Sequence, residues 1–330
     1  MRLLIYGAGV IGCWYAVLFS KARYDTTIYA RGKRLDLLRK EGLRYEIKGQ
    51  IHKADVKIIE RLENEDSYDF IFLTVKENQV HTALKELAYN VSPNIVTMVN
   101  TIEGYENWER LSGEGRIIPA FPGAGGSFQD GILKAALTPY IIQPTTFAEI
   151  NGCRTERLDK LSKIFKSSRV PYQIVKNMQN WQLCHLAMVV PIADAYYMSK
   201  NPQMVWKEDE VMNKTAEQMK HNFRMLHEFG IVLSPRKMNM FRLLPIWMLS
   251  IGLVAVFKSN FGDVFMYQHS MNAPDEMGTL HEQFYGYLKA REDLKFLLSL
   301  LWHIWLFYRD STYILLTRDF VRTQKVYKKN

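Results

Sequence analysis

Met1–Arg34 reads MRLLIYGAGVIGCWYAVLFSKARYDTTIYARGKR, and the expected fold follows from it. An apolar run (Leu3, Leu4, Ile5, Tyr6) leads directly into Gly7-Ala8-Gly9-Val10-Ile11-Gly12. A periodic apolar segment follows, and then a second run rich in β-branched residues, Thr26-Thr27-Ile28-Tyr29. The pattern predicts strand, glycine turn, helix, strand, which opens a dinucleotide-binding fold. Gly7 lets the chain turn sharply out of the strand, Gly9 lets backbone approach a pyrophosphate, and Gly12 lets the helix lie close to the sheet. The helix N-terminus adds N–H groups and a positive dipole end. A bare GxGxxG is weak evidence; the strand before it and the helix after it make it specific. Gly7, Ala8, Gly9, Val10, Ile11 and Gly12 are therefore the first candidate cofactor residues.

The end of the second strand selects among dinucleotides. An NAD site usually carries an acid there for the ribose 2′-hydroxyl. This chain has Ala30-Arg31-Gly32-Lys33-Arg34, with no acid before Asp36. A guanidinium at Arg31 suits a 2′-phosphate, so NADP(H) is the expected cofactor. A solvated basic turn is the plainer alternative.

The chain has 330 residues, enough for two domains, and its 48% hydrophobic and 23% charged content is that of a globular protein. Lys+Arg 43 against Asp+Glu 34 gives +9, but the positive charge is scattered apart from the tail (Lys325, Lys328, Lys329), and no nucleic-acid motif is present. A basic cleft would suit phosphates and a carboxylate substrate. Cys13, Cys153 and Cys184 lack the spacing of a disulfide framework or a metal site, and no signal peptide is evident, so a reduced cytoplasmic setting is expected. Leu243–Phe257 is uncharged for fifteen residues between Arg242 and Lys258. As a helix it spans only about 22 Å against a bilayer core of about 30 Å. A buried or dimer-interface helix is expected, with membrane-surface contact as the alternative.

Further along, a helix is expected over 33–41 and an antiparallel hairpin or edge pair within 43–59. Asp69–Lys76 and Ile95–Asn100 read as central strands covered on both faces. Arg116–Ala120 begins another strand that runs into Pro122-Gly123-Ala124-Gly125-Gly126. Short strands are expected near 132–136, 140–143, 147–150 and 170–175, and a helix over 154–167. From Asn177 the pattern turns to long apolar-periodic segments rich in Met, Trp, Phe and Leu. The expected architecture is α/β: a Rossmann-type doubly wound sheet over 1–175, then an all-helical substrate and dimerisation domain over 176–330. The stripes Met238, Met240, Phe241, Trp247, Met248 and Trp302, Trp305, Phe307, Tyr308 read as core or dimer packing.

In a doubly wound sheet, ligands bind beyond the carboxyl ends of the strands. Two polar residues close apolar strands there, Lys76 and Asn100. With GAGVIG at the N-terminus, Arg31, the TVK strand end followed by Gln79, and an Asn leading to a glycine turn, the chain resembles the ketopantoate reductases (2-dehydropantoate 2-reductases). His269-Ser270-Met271 and Glu282 in the helical half extend the resemblance. It implies NADPH-dependent reduction of a 2-oxo acid, ketopantoate first, with a lysine protonating the alkoxide. It also implies roles: Arg31 on the 2′-phosphate, Lys76 along the cofactor, and Asn100 facing nicotinamide and substrate. Ser270 would touch substrate, Glu282 would lie near the nicotinamide ribose, and Ala124 would offer backbone to the cofactor.

The departures fall on the helix after the boundary. The family pattern Trp-x-Lys-Leu-x-x-Asn, then Asn-Pro, meets Asn180-Trp181-Gln182-Leu183-Cys184-His185-Leu186-Ala187-Met188-Val189-Val190-Pro191. The lysine falls on Leu183 or Gln182 according to register, and its partner Asn on Ala187 or Leu186. His185 is the candidate substitute acid, with a hydrogen-bonded core histidine as the alternative; Lys76 and Lys176 are further candidates. Thus Asn100, His185 and Lys76 form the candidate catalytic set. A non-catalytic NADP(H)-binding sensor is the competing reading. No metal is expected, since His281-Glu282 has no second histidine at Tyr285.

Overall fold

β1 (Arg2–Tyr6), α1 (Val10–Lys21) and β2 (Asp25–Tyr29) form the expected opening unit, with β1 and β2 parallel and Ile5 opposite Ile28. The computed structural model describes residues 1–327, with side chains over 1–302. Trp305, Phe307, Tyr308 and the basic tail Lys325, Lys328 and Lys329 lie outside the residues whose side chains are described. After β2 come α2 (Gly32–Glu41), β3 (Arg44–Ile47), β4 (Gln50–Lys53), β5 (Lys57–Ile59), β6 (Phe70–Leu73), α3 (Val80–Leu87), β7 (Ile95–Met98) and α4 (Tyr105–Ser112). Then follow β8 (Ile117–Phe121), β9 (Ala124–Gln129), β10 (Ile132–Leu137), β11 (Thr145–Phe147), α5 (Glu156–Ser167) and β12 (Tyr172–Ile174).

The main sheet runs β12-β11-β8-β7-β6-β1-β2-β5. From β5 to β8 every pairing is parallel, and β11 lies antiparallel to β8. All residues of β6 and β7 are buried, which is why both read as continuous apolar runs. The order reverses at β1, flanked by β2 and β6, so the crevice for a ligand opens over the carboxyl end of β1. Behind it Phe19 of α1 packs on Phe72 at 4.8 Å and on Phe165 at 6.2 Å.

The 43–59 region divides between two sheets. β3 and β4 form the expected hairpin, while β5 joins β2 as a parallel edge strand. The hairpin continues into a small sheet, β4-β3-β10-β9. Residues 140–142 form a turn where a strand was expected, because Pro139 and Pro144 bracket it and Ile142 N–H bonds the Pro139 carbonyl at 2.9 Å.

Beyond Ile174 every regular element among the described residues is helical: α6 (Met178–Met198), α7 (Asp209–Glu228), α8 (Asn239–Leu243), α9 (Ile246–Phe257), a π-helical turn at Gly262–Tyr267, α10 (Gln268–Asn272) and α11 (Pro274–Tyr327). α6 contains Pro191, which deprives the Ala187 carbonyl of its helical donor. The fully buried Asn222 of α7 supplies one, Nδ2 to Ala187 O at 3.2 Å. Packing groups Met1–Phe284 into one compact unit and Tyr285–Asn330 into a second.

Of the two alternatives expected for α9, a buried or a dimer-interface helix, the first does not hold within the chain. The helix buries Leu249, Ser250, Leu253 and Phe257 but exposes Trp247 at 62% and Ile251 at 63%. Its sequence is apolar all round, so a single buried stripe leaves apolar side chains on the outside. Of the first Met/aromatic stripe, expected as core or dimer packing, Met238 is buried and Phe241 stacks on Phe223 at 4.9 Å, whereas Met240, Trp247 and Met248 are exposed on the chain. Among the described residues no single helix is long and apolar enough to cross a membrane; α9 and the 262–272 segment satisfy that test only together, bent by 89°.

Candidate active site

The glycine turn is built as close packing demands. Gly7 has φ +121°, a conformation that strains residues with a Cβ. A Cβ on Gly12 would lie 2.1 Å from Gly7 O and 2.4 Å from Thr74 Oγ1, so only glycine lets α1 approach β1 and β6 this closely. Thr74 Oγ1 in turn donates to Gly7 O at 2.9 Å. Gly9, the N-cap of α1, differs: a Cβ there would meet nothing within 4 Å. No side chain caps α1 and its first turn carries no acid, which leaves its N–H groups and dipole facing open space.

A cleft of about 540 Å³ extends from this turn, lined by Tyr6, Gly9, Tyr29, Arg31, Val75 and Gln79 among others. That volume lies within the usual range for small-molecule sites. Arg31 lies over the Tyr29 ring at 4.9 Å and donates from Nε to Tyr29 Oη at 2.6 Å and from Nη2 to Tyr6 Oη at 2.9 Å. Nη2 also pairs with the Glu86 carboxylate of α3, which accepts a further hydrogen bond from Tyr6 Oη. Burial, with Glu86 next, raises the Tyr6 phenol above its ordinary value, so it stays a donor. Arg34 also lines the cleft. Its Nε donates to Ala8 O at 3.2 Å and its guanidinium covers Phe128 at 3.6 Å. Sequence reasoning passed over this cation, although its place one helical turn after Arg31 was the available signal.

At the other end, beyond β7, a buried polar group gathers. Asn100 is 7% exposed and its Oδ1 has no protein partner. Gln182 of α6 is fully buried; its Nε2 donates to Val99 O at 2.9 Å and its Oε1 is unpartnered. The buried Tyr105 hydroxyl lies beside the Gln182 side chain without a well-formed hydrogen bond to it, and Trp181 Nε1 is buried without a partner. An unmet buried polar atom costs about 1–3 kcal/mol, so such a concentration marks a place built to meet something else. α6 thus brings Gln182, from one of the two lysine registers, to the strand end that carries Asn100. Leu183, from the other register, is also buried but offers no polar group.

His185 stacks on Trp181 at 5.2 Å and 8° and lies 4.3 Å from the Phe121 ring. Burial, then His269, pushes its pKa down to about 3. The ring is neutral at physiological pH and so holds no imidazolium proton for an alkoxide. Lys76 is exposed, just ahead of the 3-10 turn Glu77–Gln79, and is absent from the residues lining the cleft. Ser270 is 3% exposed, and its carbonyl accepts from Tyr197 Oη at 2.6 Å. Ala124 opens β9; at the next residue, a Cβ on Gly125 would lie 2.6 Å from the Phe265 ring, so glycine there admits the π-helical turn. Glu282 is exposed, and it is Gln283 beside it that reaches the β6 end, donating Nε2 to Glu77 Oε1 at 2.9 Å. Its buried Oε1 has no partner. His281 pairs with Asp194 of α6 at 3.0 Å. Cys13, Cys153 and Cys184 are free thiols, the first and last buried.

Residues 3–138 match the family model described as Ketopantoate reductase PanE/ApbA. A 2-dehydropantoate 2-reductase of Mesorhizobium japonicum is 31% identical over 105 residues, 31% of this chain and 32% of that protein. One from Archaeoglobus fulgidus is 39% identical over 87 residues, 26% of this chain and 28% of that protein. The matched stretch therefore spans about a third of these relatives' length. In structure, the 2-dehydropantoate 2-reductase of Geobacter metallireducens superimposes with a TM-score of 0.64 at 13% identity, covering 89% of this chain and 100% of that one. Residues 3–138 are thus similar to the ketopantoate reductase family, and the fold of the Geobacter protein extends over 89% of the chain.

Proposed function

We propose that the protein is an NADP(H)-dependent reductase of a 2-oxo acid, with ketopantoate the first substrate to test. The observation that carries the proposal is the turn at 7–12: Gly12 is pressed against β1 and β6 while Gly9 faces open space above an uncapped helix. That arrangement fits a dinucleotide pyrophosphate. Residues 7–12 would hold the pyrophosphate and Arg31 the 2′-phosphate, with Ala124 and Glu282 as further cofactor contacts by family likeness. When bound, the nicotinamide supplies a hydride to a carbonyl carbon. The chain's own work is to hold that carbonyl and supply a proton.

Asn100 is assigned to orient substrate and nicotinamide, because its Oδ1 is buried and unpaired at the right strand end. Gln182 presents an amide beside it but has no acidic proton. Lys76 is the proposed proton source, His185 being neutral, and Ser270 the proposed substrate contact. The helical part is proposed to make a homodimer contact through the apolar outer face of α9.

A second reading is favoured by one specific observation: both positions that could hold the family lysine are buried and carry Gln182 and Leu183. Such a chain could bind NADP(H) as a sensor without turnover. NADPH oxidation with ketopantoate, then with a panel of 2-oxo acids, separates the two. Turnover that falls about a hundredfold in Asn100→Ala supports the reductase. NADPH protection against heat without turnover on any 2-oxo acid supports the sensor.

A further inference from the structure

The end of β2 lacks the acid that a 2′-hydroxyl would use, yet the fold brings one there from elsewhere. Glu86 stands one helical turn beyond Thr82 and Ala83, two residues of α3 that line the cleft. Its carboxylate meets Arg31 Nη2 and the Tyr6 hydroxyl. With Nε committed to Tyr29 and Nη2 to Glu86 and Tyr6, Arg31 cannot present either two-nitrogen edge freely. A bound 2′-phosphate must compete with Glu86 for the guanidinium and then lie beside a like charge. A 2′-hydroxyl meets no such repulsion and can donate to the carboxylate.

We propose that Glu86 is a specificity-determining residue of this pocket, lowering the preference for a 2′-phosphate that Arg31 alone would impose. The pocket therefore admits both the phosphorylated and the unphosphorylated adenosine ribose, with Arg31 favouring one and Glu86 the other. Tyr6 and Tyr29, stacked at 4.5 Å, fix the geometry: one phenol bridges the two charges and the other holds Nε.

This inference rests on reading the cleft as a dinucleotide site, and the test keeps the two apart. The affinities of 2′,5′-ADP and 5′-AMP for the full-length protein are measured by calorimetry at low salt, with melting temperatures alongside. These fragments report on the adenosine end independently of turnover. Removing one charge near a phosphate dianion at a half-exposed site is expected to raise the 2′,5′-ADP preference about tenfold in Glu86→Gln. The gain should shrink in 1 M salt and be smaller when Glu86→Gln is made in Arg31→Gln, where only the like-charge repulsion is left to relieve. If neither fragment binds the unmodified protein, the dinucleotide reading fails. If both bind but Glu86→Gln leaves their ratio unchanged or lowers it, the role of Glu86 is overturned while the site stands. A common loss of both affinities together with a lower melting temperature would also overturn it, making Glu86 a support of α3.

Discussion

Gly9→Ala and Gly12→Ala are the same chemical change three residues apart, and the structure assigns them opposite consequences. At Gly12 the new methyl would lie 2.1 Å from a backbone oxygen, 2.4 Å from Thr74 Oγ1 and 2.8 Å from Ile5 Cγ2. Relief requires α1 to move off the sheet, an overpacking cost of about 3 kcal/mol. That corresponds to a melting-temperature drop of about 5–10 °C. At Gly9 the methyl meets nothing within 4 Å, and φ −75° is comfortable for alanine. The folded state is not penalised, and the less flexible unfolded chain gives back about 0.4–1 kcal/mol. The methyl does occupy the space above the α1 N-terminus, where the pyrophosphate is proposed to sit. Displacing it from a charged hydrogen bond costs about 1.5–3 kcal/mol, or about ten- to a hundredfold in affinity. Calorimetric NADP⁺ titration and thermal melts on both variants decide the matter. Gly9→Ala should melt like the unmodified protein and bind poorly, whereas Gly12→Ala should melt early. Undiminished NADP⁺ affinity in Gly9→Ala would refute the placement of the pyrophosphate, and a normal melt for Gly12→Ala would refute the tight α1 contact.

His185 makes stability depend on pH. Its folded pKa of about 3 lies below the unfolded value of about 6.5, so between these limits the unfolded chain binds the extra proton and stability falls as pH falls. Denaturant melts should lose up to about 1.4 kcal/mol per pH unit from this group below pH 6, and His185→Phe should flatten that slope. An identical slope in the variant would place the acid sensitivity elsewhere. Replacing Trp247 and Ile251 of α9 by serine removes two side chains that are 62% and 63% exposed and should leave the fold intact. Light scattering should then report monomers if α9 makes a homodimer contact, while lost flotation with liposomes would assign the face to lipid.

The glycine turn was legible because each of its requirements is local. A sharp exit from a strand, an uncapped helix start and close helix–sheet packing all fall within a dozen residues, and only glycine satisfies them. The central strands were legible for a similar reason: burial on both faces writes a continuous apolar run such as Phe70–Leu73. Tyr140–Gln143 misled because apolar residues between two prolines can serve a turn as well as a strand. Arg31 could be placed from its distance after Gly12, but Glu86, 55 residues further on, carries no mark of meeting it. The same holds for Gln283 reaching Glu77 across 206 residues, and for Asn222 filling the bond that Pro191 vacates. His185 was ambiguous in sequence, since a lone histidine among apolar residues suits either an acid or a core; its burial, between Trp181 and the Phe121 ring, keeps it neutral. Sequence alone determined the α/β half and its glycine turn, because backbone conformation and periodicity are properties of neighbouring residues. Charge pairing, burial and the meeting of strand ends with α6 and α11 depend on long-range contacts, and only the tertiary structure decided them.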